Sequence, residues 1–267
     1  KSSAASDVYK RQVDDGTDFL ALLPDDAFLD GLALGQQIFQ FFGADVLTVV
    51  EDDDILLASG DVIEAFLIHT GDICYEDGLK QHIKDMNTEN MGVPVRYVIG
   101  NHDYVAGKYG EALFESIYGP VWYSFDVGNV HYVVTPFQTG ADYASGYNKN
   151  DRWKWLENDL ANVEPGMKVV MFNHTKAPSD DYVLSYGLKK LDLKEHDLIA
   201  WVYGHYHYNY ITETDGVLNI STGRPDCGGI DSSASGSRLI SITANGQVST
   251  QMYYYCLLYT SDAADDL

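Results

Sequence analysis

The chain is poor in cysteine, in basic residues and in long apolar runs. Three of its 267 residues are cysteine, and Cys256 falls in a terminal stretch set aside below. Cys74 and Cys227 are too few for a disulfide-built scaffold and wrongly spaced for a zinc knuckle. No run of about 18 apolar residues occurs, so no membrane-crossing helix is predicted. Lys and Arg number 17 against 40 Asp and Glu, a formal charge of -23. A chain of that sign repels phosphate backbones and anionic membrane surfaces, which argues against nonspecific nucleic-acid binding. The first residues also lack the charged, apolar, small-residue order of a secretory leader. What is present, 45% hydrophobic and 13% aromatic residues, is enough for one sizeable core and excludes disorder, collagen and coiled coil.

The two ends are related through the genetic code. Ser2 to Gln12 reads SSAASDVYKRQ and Cys256 to Asp266 reads CLLYTSDAADD; one oligonucleotide encodes the first, and its reverse complement, read one base in, encodes the second. The oligonucleotide resembles the adapter of transposon-based sequencing libraries, so residues 1–12 and 256–267 are expected to be adapter-derived and are left out of fold reasoning. A second break in composition follows. From Val13 to Ile68 there are 13 acidic residues and no Lys, Arg or His, whereas all eight histidines lie from His69 onward. Residues 13–63 are therefore set apart as either a natural acidic lead-in or an out-of-frame or chimeric stretch. Residues 64–255 form the expected domain.

From about Glu64, short apolar runs alternate with amphipathic stretches, the pattern of β-α-β organisation and of a parallel or mixed sheet. Ala65 to Thr70, Val93 to Ile99, Lys168 to Phe172 and Leu198 to Tyr203 read as buried strands. Leu79, Ile83 and Met86, then Leu113, Phe114 and Ile117, then Trp155, Leu156 and Leu160 recur at helical spacing. Val127-Gly128-Asn129 joins two apolar runs as a hairpin. The stretch from Tyr208 to Tyr254 reads as short strands broken by Gly-rich turns.

Polar clusters stand where those strands end: Gly71-Asp72 with Tyr75, Gly100-Asn101-His102-Asp103, His174, and Gly204-His205-Tyr206-His207. Carboxylate, amide oxygen and three imidazoles make a mixed oxygen and nitrogen ligand set for divalent or trivalent metals. Glycine lets the chain turn sharply and bring a ligand close to the backbone. His205 and His207, two apart on what reads as an extended segment, are expected to point to the same side. His69 reads as a packed core histidine, and His82, His131 and His196 as structural or solvated. Tyr206, Tyr208 and Tyr210 either line a substrate cleft or show the alternation of a half-buried strand.

In type and order, GD, GNHD, a lone histidine after a strand, and GHYH resemble the calcineurin-like metallophosphoesterase superfamily, and GDICY resembles the purple acid phosphatase version of its motif. The resemblance covers about Glu64 to Met252. It implies an α/β fold, a four-layer α/β/β/α sandwich, here with its first strand missing or corrupted. It implies metal-dependent hydrolysis of a phosphomonoester or phosphodiester at a dinuclear centre of divalent or mixed-valence ions (Fe, Mn or Zn). Asp72 would bridge the two metals; Asn101, His174 and His205 would complete one site, and His207 would go to the other. Tyr75 is either an iron ligand or part of the site wall. His102 is the expected general acid, with Asp103 orienting it. Arg224, in the Gly-rich Thr222 to Gly236 segment, is the candidate for holding a substrate phosphate, and an ordinary surface turn is the other reading. The partner implied is a small-molecule phosphoester, and the location favoured is secreted or periplasmic. The superfamily's N-terminal Asp-x-His or Asp-x-Gly motif is not found, and Asp45 and Asp52 to Asp54 are its only strand-end stand-ins. That absence sustains an alternative, a noncatalytic or damaged relative that binds one metal.

Overall fold

In the computed structural model the described residues are 46–51, 64–73, 76–104, 111–136, 148–223 and 236–254. Thirteen strands and four α-helices lie within them. One sheet has five strands in the order β13-β12-β1-β2-β3: β1 (Val46–Glu51), β2 (Glu64–His69), β3 (Val95–Tyr97), β12 (Gly236–Ile242) and β13 (Val248–Tyr254). A second has six in the order β10-β11-β9-β6-β5-β4: β4 (Tyr123–Val127), β5 (Val130–Val134), β6 (Lys168–Phe172), β9 (Leu198–Tyr203), β10 (Tyr210–Thr214) and β11 (Val217–Ser221). A hairpin of β7 (Val183–Tyr186) and β8 (Lys189–Asp192) stands apart.

The sheets are mixed, as expected, and the parallel pairs carry the site. β2 runs parallel to β3, and β5, β6, β9 and β11 are parallel in succession. Their carboxyl ends open the crevice in which α/β folds place ligands. The strands predicted at Lys168 to Phe172 and Leu198 to Tyr203 form with those bounds. The expected first strand is more particular: β1 comes from the segment set apart by composition, pairs parallel with β12, and runs antiparallel to β2 with Val46 opposite His69 and Glu51 opposite Glu64.

Period-2 alternation decides which side chains meet between the sheets. Phe66 and Ile68 of β2 pack with Tyr132 and Val134 of β5, Val170 and Phe172 of β6, Val202 of β9 and Ile240 of β12. Phe66 meets Phe125, Tyr132 and Phe172 edge-on at 5.0, 5.0 and 6.3 Å, a preferred aromatic geometry. The opposite face of the first sheet, with Leu67, Val95 and Tyr97, is covered by Leu79 of α1 (Glu76–Asp85) and Phe114 of α3 (Ala112–Tyr118). The short α2 (Thr88–Met91) connects to β3. The far face of the second sheet is covered by α4 (Lys149–Ala161). A capping box starts α4: the Asn148 side chain accepts from the Asp151 N–H and the Asp151 carboxylate accepts from that of Asn148, which satisfies otherwise orphaned donors. Its buried stripe is Trp153, Leu156 and Leu160; Trp155, expected in that stripe, lies only partly buried at its edge against Trp122.

His131 fastens β5 to its neighbours. It is 7% exposed, with Nδ1 2.6 Å from Asp126 and Nε2 3.1 Å from Asp159, and Ser124 also donates to Asp159. Burial lowers the imidazole's pKa, but the hydrogen bonds it donates to Asp159 and Asp126 outweigh burial and hold the value above the ordinary 6.5. The folded state therefore binds this proton more tightly than the unfolded chain does. Its stabilisation is complete below the unfolded value and is lost as pH rises through the folded one. Chemical denaturation of the wild type and His131→Gln across pH 5 to 9 should show a stability difference that is largest at the acid end and shrinks above about pH 6.5; a constant difference would refute the charged-histidine assignment.

Candidate metal centre

Four side chains converge from the ends of four strands, two in each sheet. Asp72 follows β2, Asn101 follows β3, His174 follows β6 and His205 follows β9. The His174 ring, completely buried, is the pivot. Its Nδ1 lies 2.7 Å from the Thr70 carbonyl oxygen, which can only accept, so Nδ1 carries the proton. In the neutral ring, Nε2 is then left with a lone pair. That nitrogen faces Asp72 Oδ2 at 3.0 Å, Asn101 Oδ1 at 3.2 Å and His205 Nδ1 at 3.1 Å. A proton on His205 would satisfy one contact and leave two oxygens against the same lone pair. A cation among the four donors relieves all of these repulsions. Histidine donating its other N–H to a backbone carbonyl is also the usual support of a metal ligand.

The ligand atoms of Asp72, His174 and His205 all lie within 4.8 Å of one another, and the Asn101 amide oxygen adds to them. Carboxylate, amide and imidazole donors suit borderline ions such as zinc, iron or manganese. Burial raises the Asp72 pKa, and the His102 backbone N–H, which donates to Oδ1 at 2.8 Å, acts against it by favouring the carboxylate. Burial first, and then His174, hold His205 below its ordinary value, which favours the neutral ring with one nitrogen lone pair available.

The backbone is shaped for this convergence. Of the six non-glycine residues at positive φ among those described, three are Asp72 (55°), His205 (67°) and His207 (54°). Such conformations cost about 1–2 kcal/mol per residue and concentrate at functional sites. They also correct an expectation: His205 and His207 are on a bend between β9 and β10, not on an extended segment, and His207 lies outside the three-residue donor cluster. It is close enough to lower the His205 pKa electrostatically. Gly71 and Gly100 permit the close approach. A Cβ on Gly71 would sit 2.5 Å from His174 Nδ1, and one on Gly100 would collide with the Asp72 backbone nitrogen and Oδ1.

His102 is exposed on the turn after β3. Asp103 is wholly buried, and its Oδ2 accepts from the Gly100 N–H at 2.7 Å, so it shapes the turn that carries Asn101 and His102. Tyr75, Arg224, Asp45 and Asp52 to Asp54 lie outside the described residues. Two supports have no signature in the sequence motifs. The buried His69 accepts from the Gly71 N–H at 3.3 Å through Nδ1, as a core histidine bracing the Asp72 turn. Asn173 donates to the Thr135 and Pro136 carbonyls and accepts from the Thr175 N–H, which fixes the loop bearing His174. A buried asparagine directly before a strand-end histidine was the available clue.

The sequence profile of the family described as calcineurin-like phosphoesterase matches residues 37–209. No curated protein matches the chain. Among solved structures, a phosphopantetheinyl hydrolase from Mycobacterium tuberculosis is 16% identical over 69% of this chain and 91% of its own, with a TM-score of 0.40. A dimetal phosphatase from Danio rerio is 11% identical over 68% and 88%, with a TM-score of 0.42. Vacuolar Protein Sorting 29 from Cryptosporidium parvum is 11% identical over 80% and 100%, with a TM-score of 0.35.

The closeness of Gly100 to Asp72 can be tested directly. Gly100→Ala should destabilise the protein by about 1–3 kcal/mol, the usual cost of overpacking, and weaken metal binding at least tenfold in isothermal titration with Zn2+ or Mn2+. Unaltered affinity would show that the two turns do not need this approach.

Proposed function

The chain belongs to the calcineurin-like phosphoesterase family, a family of metal-dependent hydrolases, and from that premise we propose that it hydrolyses a small phosphoester at a dinuclear metal centre built on Asp72. The observation that carries the reading is the set of lone pairs gathered on His174 Nε2. In this reading Asp72, Asn101, His174 and His205 hold one metal, and Asp72 with His207 serves a second. Metal ions so bound supply an activated water near neutral pH and positive charge for the phosphoryl oxygens.

The protein's own groups do the rest. The Thr70 carbonyl fixes the His174 tautomer and ring plane. The His102 N–H holds one Asp72 oxygen, leaving Oδ2 directed at the donor cluster. The His102 imidazole, exposed beside this turn, would protonate the departing oxygen. Asp103 positions it indirectly, through the Gly100 N–H and the turn geometry. Tyr75 remains a proposed metal ligand and Arg224 a proposed phosphate contact, in a small-molecule site without nonspecific nucleic-acid binding.

A second reading is favoured by one observation: the donors gathered among the described residues complete only one site. The chain would then hold a single metal without turnover. Elemental mass spectrometry of the purified protein separates the two, with two metals per chain expected. Asp72→Asn should lose metal and activity together. His102→Ala should keep its metal and lower kcat for glycerol phosphate by about 10²–10⁴-fold, the usual contribution of a general acid, and lower it far less for nitrophenyl phosphate, whose leaving oxygen needs little protonation. Equal losses on both substrates would remove His102 from the proton-transfer role, and full hydrolysis by Asp72→Asn would remove the metal centre from the reaction.

A further inference from the structure

A row of aromatic rings leads outward from the donor cluster. The His174 and His205 rings meet at 4.9 Å, His205 and Tyr206 at 5.0 Å, Tyr206 and Tyr208 at 5.6 Å, and Tyr208 and Tyr210 at 5.8 Å. Tyr206 and Tyr208 stack at 24°. The row starts on a proposed metal ligand and ends at Tyr210, which is 50% exposed.

Strand alternation does not account for these rings. β9 ends at Tyr203 and β10 begins at Tyr210, and the residues between are irregular, with His205 and His207 in the left-handed region. Tyr206 rests in part on the core beside Tyr203 at 5.9 Å, yet Tyr206 and Tyr208 both stay only partly buried, so the segment presents aromatic faces to the outside. Cavities flank the pair. One of about 230 Å3 lies at Tyr206, bounded by Asn173 and Trp201. Another of about 320 Å3 lies at Tyr208 and Tyr210, with Asp180 and Asn219 in its wall. Lys176, two residues after His174, lines both. The cavity at Tyr208 and Tyr210 therefore has aromatic walls, and its lining offers an ammonium (Lys176), a carboxylate (Asp180) and an amide (Asn219), donors and acceptors together. A planar ring with hydrogen-bonding edges matches that combination. A flexible aliphatic chain does not use the aromatic walls, and a bare anion is opposed by Asp180.

We propose that the Tyr206–Tyr208–Tyr210 row is a leaving-group subsite that takes a planar heteroaromatic ring with polar edges, so that the preferred phosphoester is nucleotide-like. The inference rests on the hydrolase reading above and adds the recognition element. Tyr208 would hold the ring by stacking, braced by Tyr206 on its other face, with Lys176 and Asp180 meeting the ring's edge.

Adenosine 5′-monophosphate and glycerol phosphate are suitable probes, because both lose an alkyl oxygen and differ in the ring. The wild type should favour the nucleotide in kcat/KM by about tenfold or more, the usual worth of one stacked base. Tyr208→Leu and Tyr206→Leu should each collapse that ratio toward one, while Tyr208→Phe, which keeps the ring, should preserve it. Calorimetric binding of the nucleotide should weaken in parallel in the two leucine variants. Hydrolysis of both probes with equal kcat/KM, or a ratio unmoved by Tyr208→Leu, would overturn the subsite and leave the hydrolase intact. Failure of the metal-loaded wild type to hydrolyse either probe, or nitrophenyl phosphate, would overturn the hydrolase reading and the subsite with it.

Discussion

The contact on which the site depends is the hydrogen bond from His174 Nδ1 to the Thr70 carbonyl. It joins the end of a strand in one sheet to the end of a strand in the other, across 104 residues of sequence. It also sets the tautomer, and with it the direction of the lone pair that Asp72, Asn101 and His205 face. Gly71 lacks a side chain because a Cβ there would meet the same Nδ1. The demand for a small residue, the inward turn of Asp72 and the burial of the imidazole are thus consequences of one contact. The aromatic core beneath it, with Phe66 among Phe125, Tyr132 and Phe172, keeps the sheets at the separation the contact requires.

Much of this was legible from residue pattern. Buried parallel strands appear as apolar runs, and polar groups at their carboxyl ends stand out against them, so Asp72, Asn101, His174 and His205 could be named before any geometry was known. Backbone contributions could not. The Thr70 carbonyl and the His102 N–H bring no side-chain signal, and the left-handed turns at His205 and His207 imitate the alternation of an extended strand. The β7–β8 hairpin escaped notice because its exposed strands carry no clear alternating apolar face; Leu188 at its tip is fully exposed. Trp155 and Trp153 differ by two residues in a helix, enough to move one ring from the stripe to its edge.

The direction of β1 bears on the ligand that remains to be found. Since β1 is antiparallel to β2, Val46 is its end beside the Asp72 turn and Glu51 its remote end. In a parallel β-α-β arrangement the carboxyl end of the first strand would instead lie beside that turn. The metal count, rather than the motif pattern, decides between one site and two.

Charge imposes the last constraint. A phosphoester is an anion, and the chain carries a formal charge of -23, so its surface as a whole opposes the approach of substrate. At physiological salt, charges beyond about 8 Å are largely screened, and the sign that matters is local. Among the four gathered donors only Asp72 brings a negative charge; the amide and the imidazoles are neutral, and His205 is held so by burial. Cations bound there keep most of their charge, whereas a carboxylate-rich site would cancel it. A donor set of histidine and asparagine therefore suits the binding of an anion on an acidic protein, and the proposed tyrosine subsite beyond it would extend recognition without adding charge of either sign.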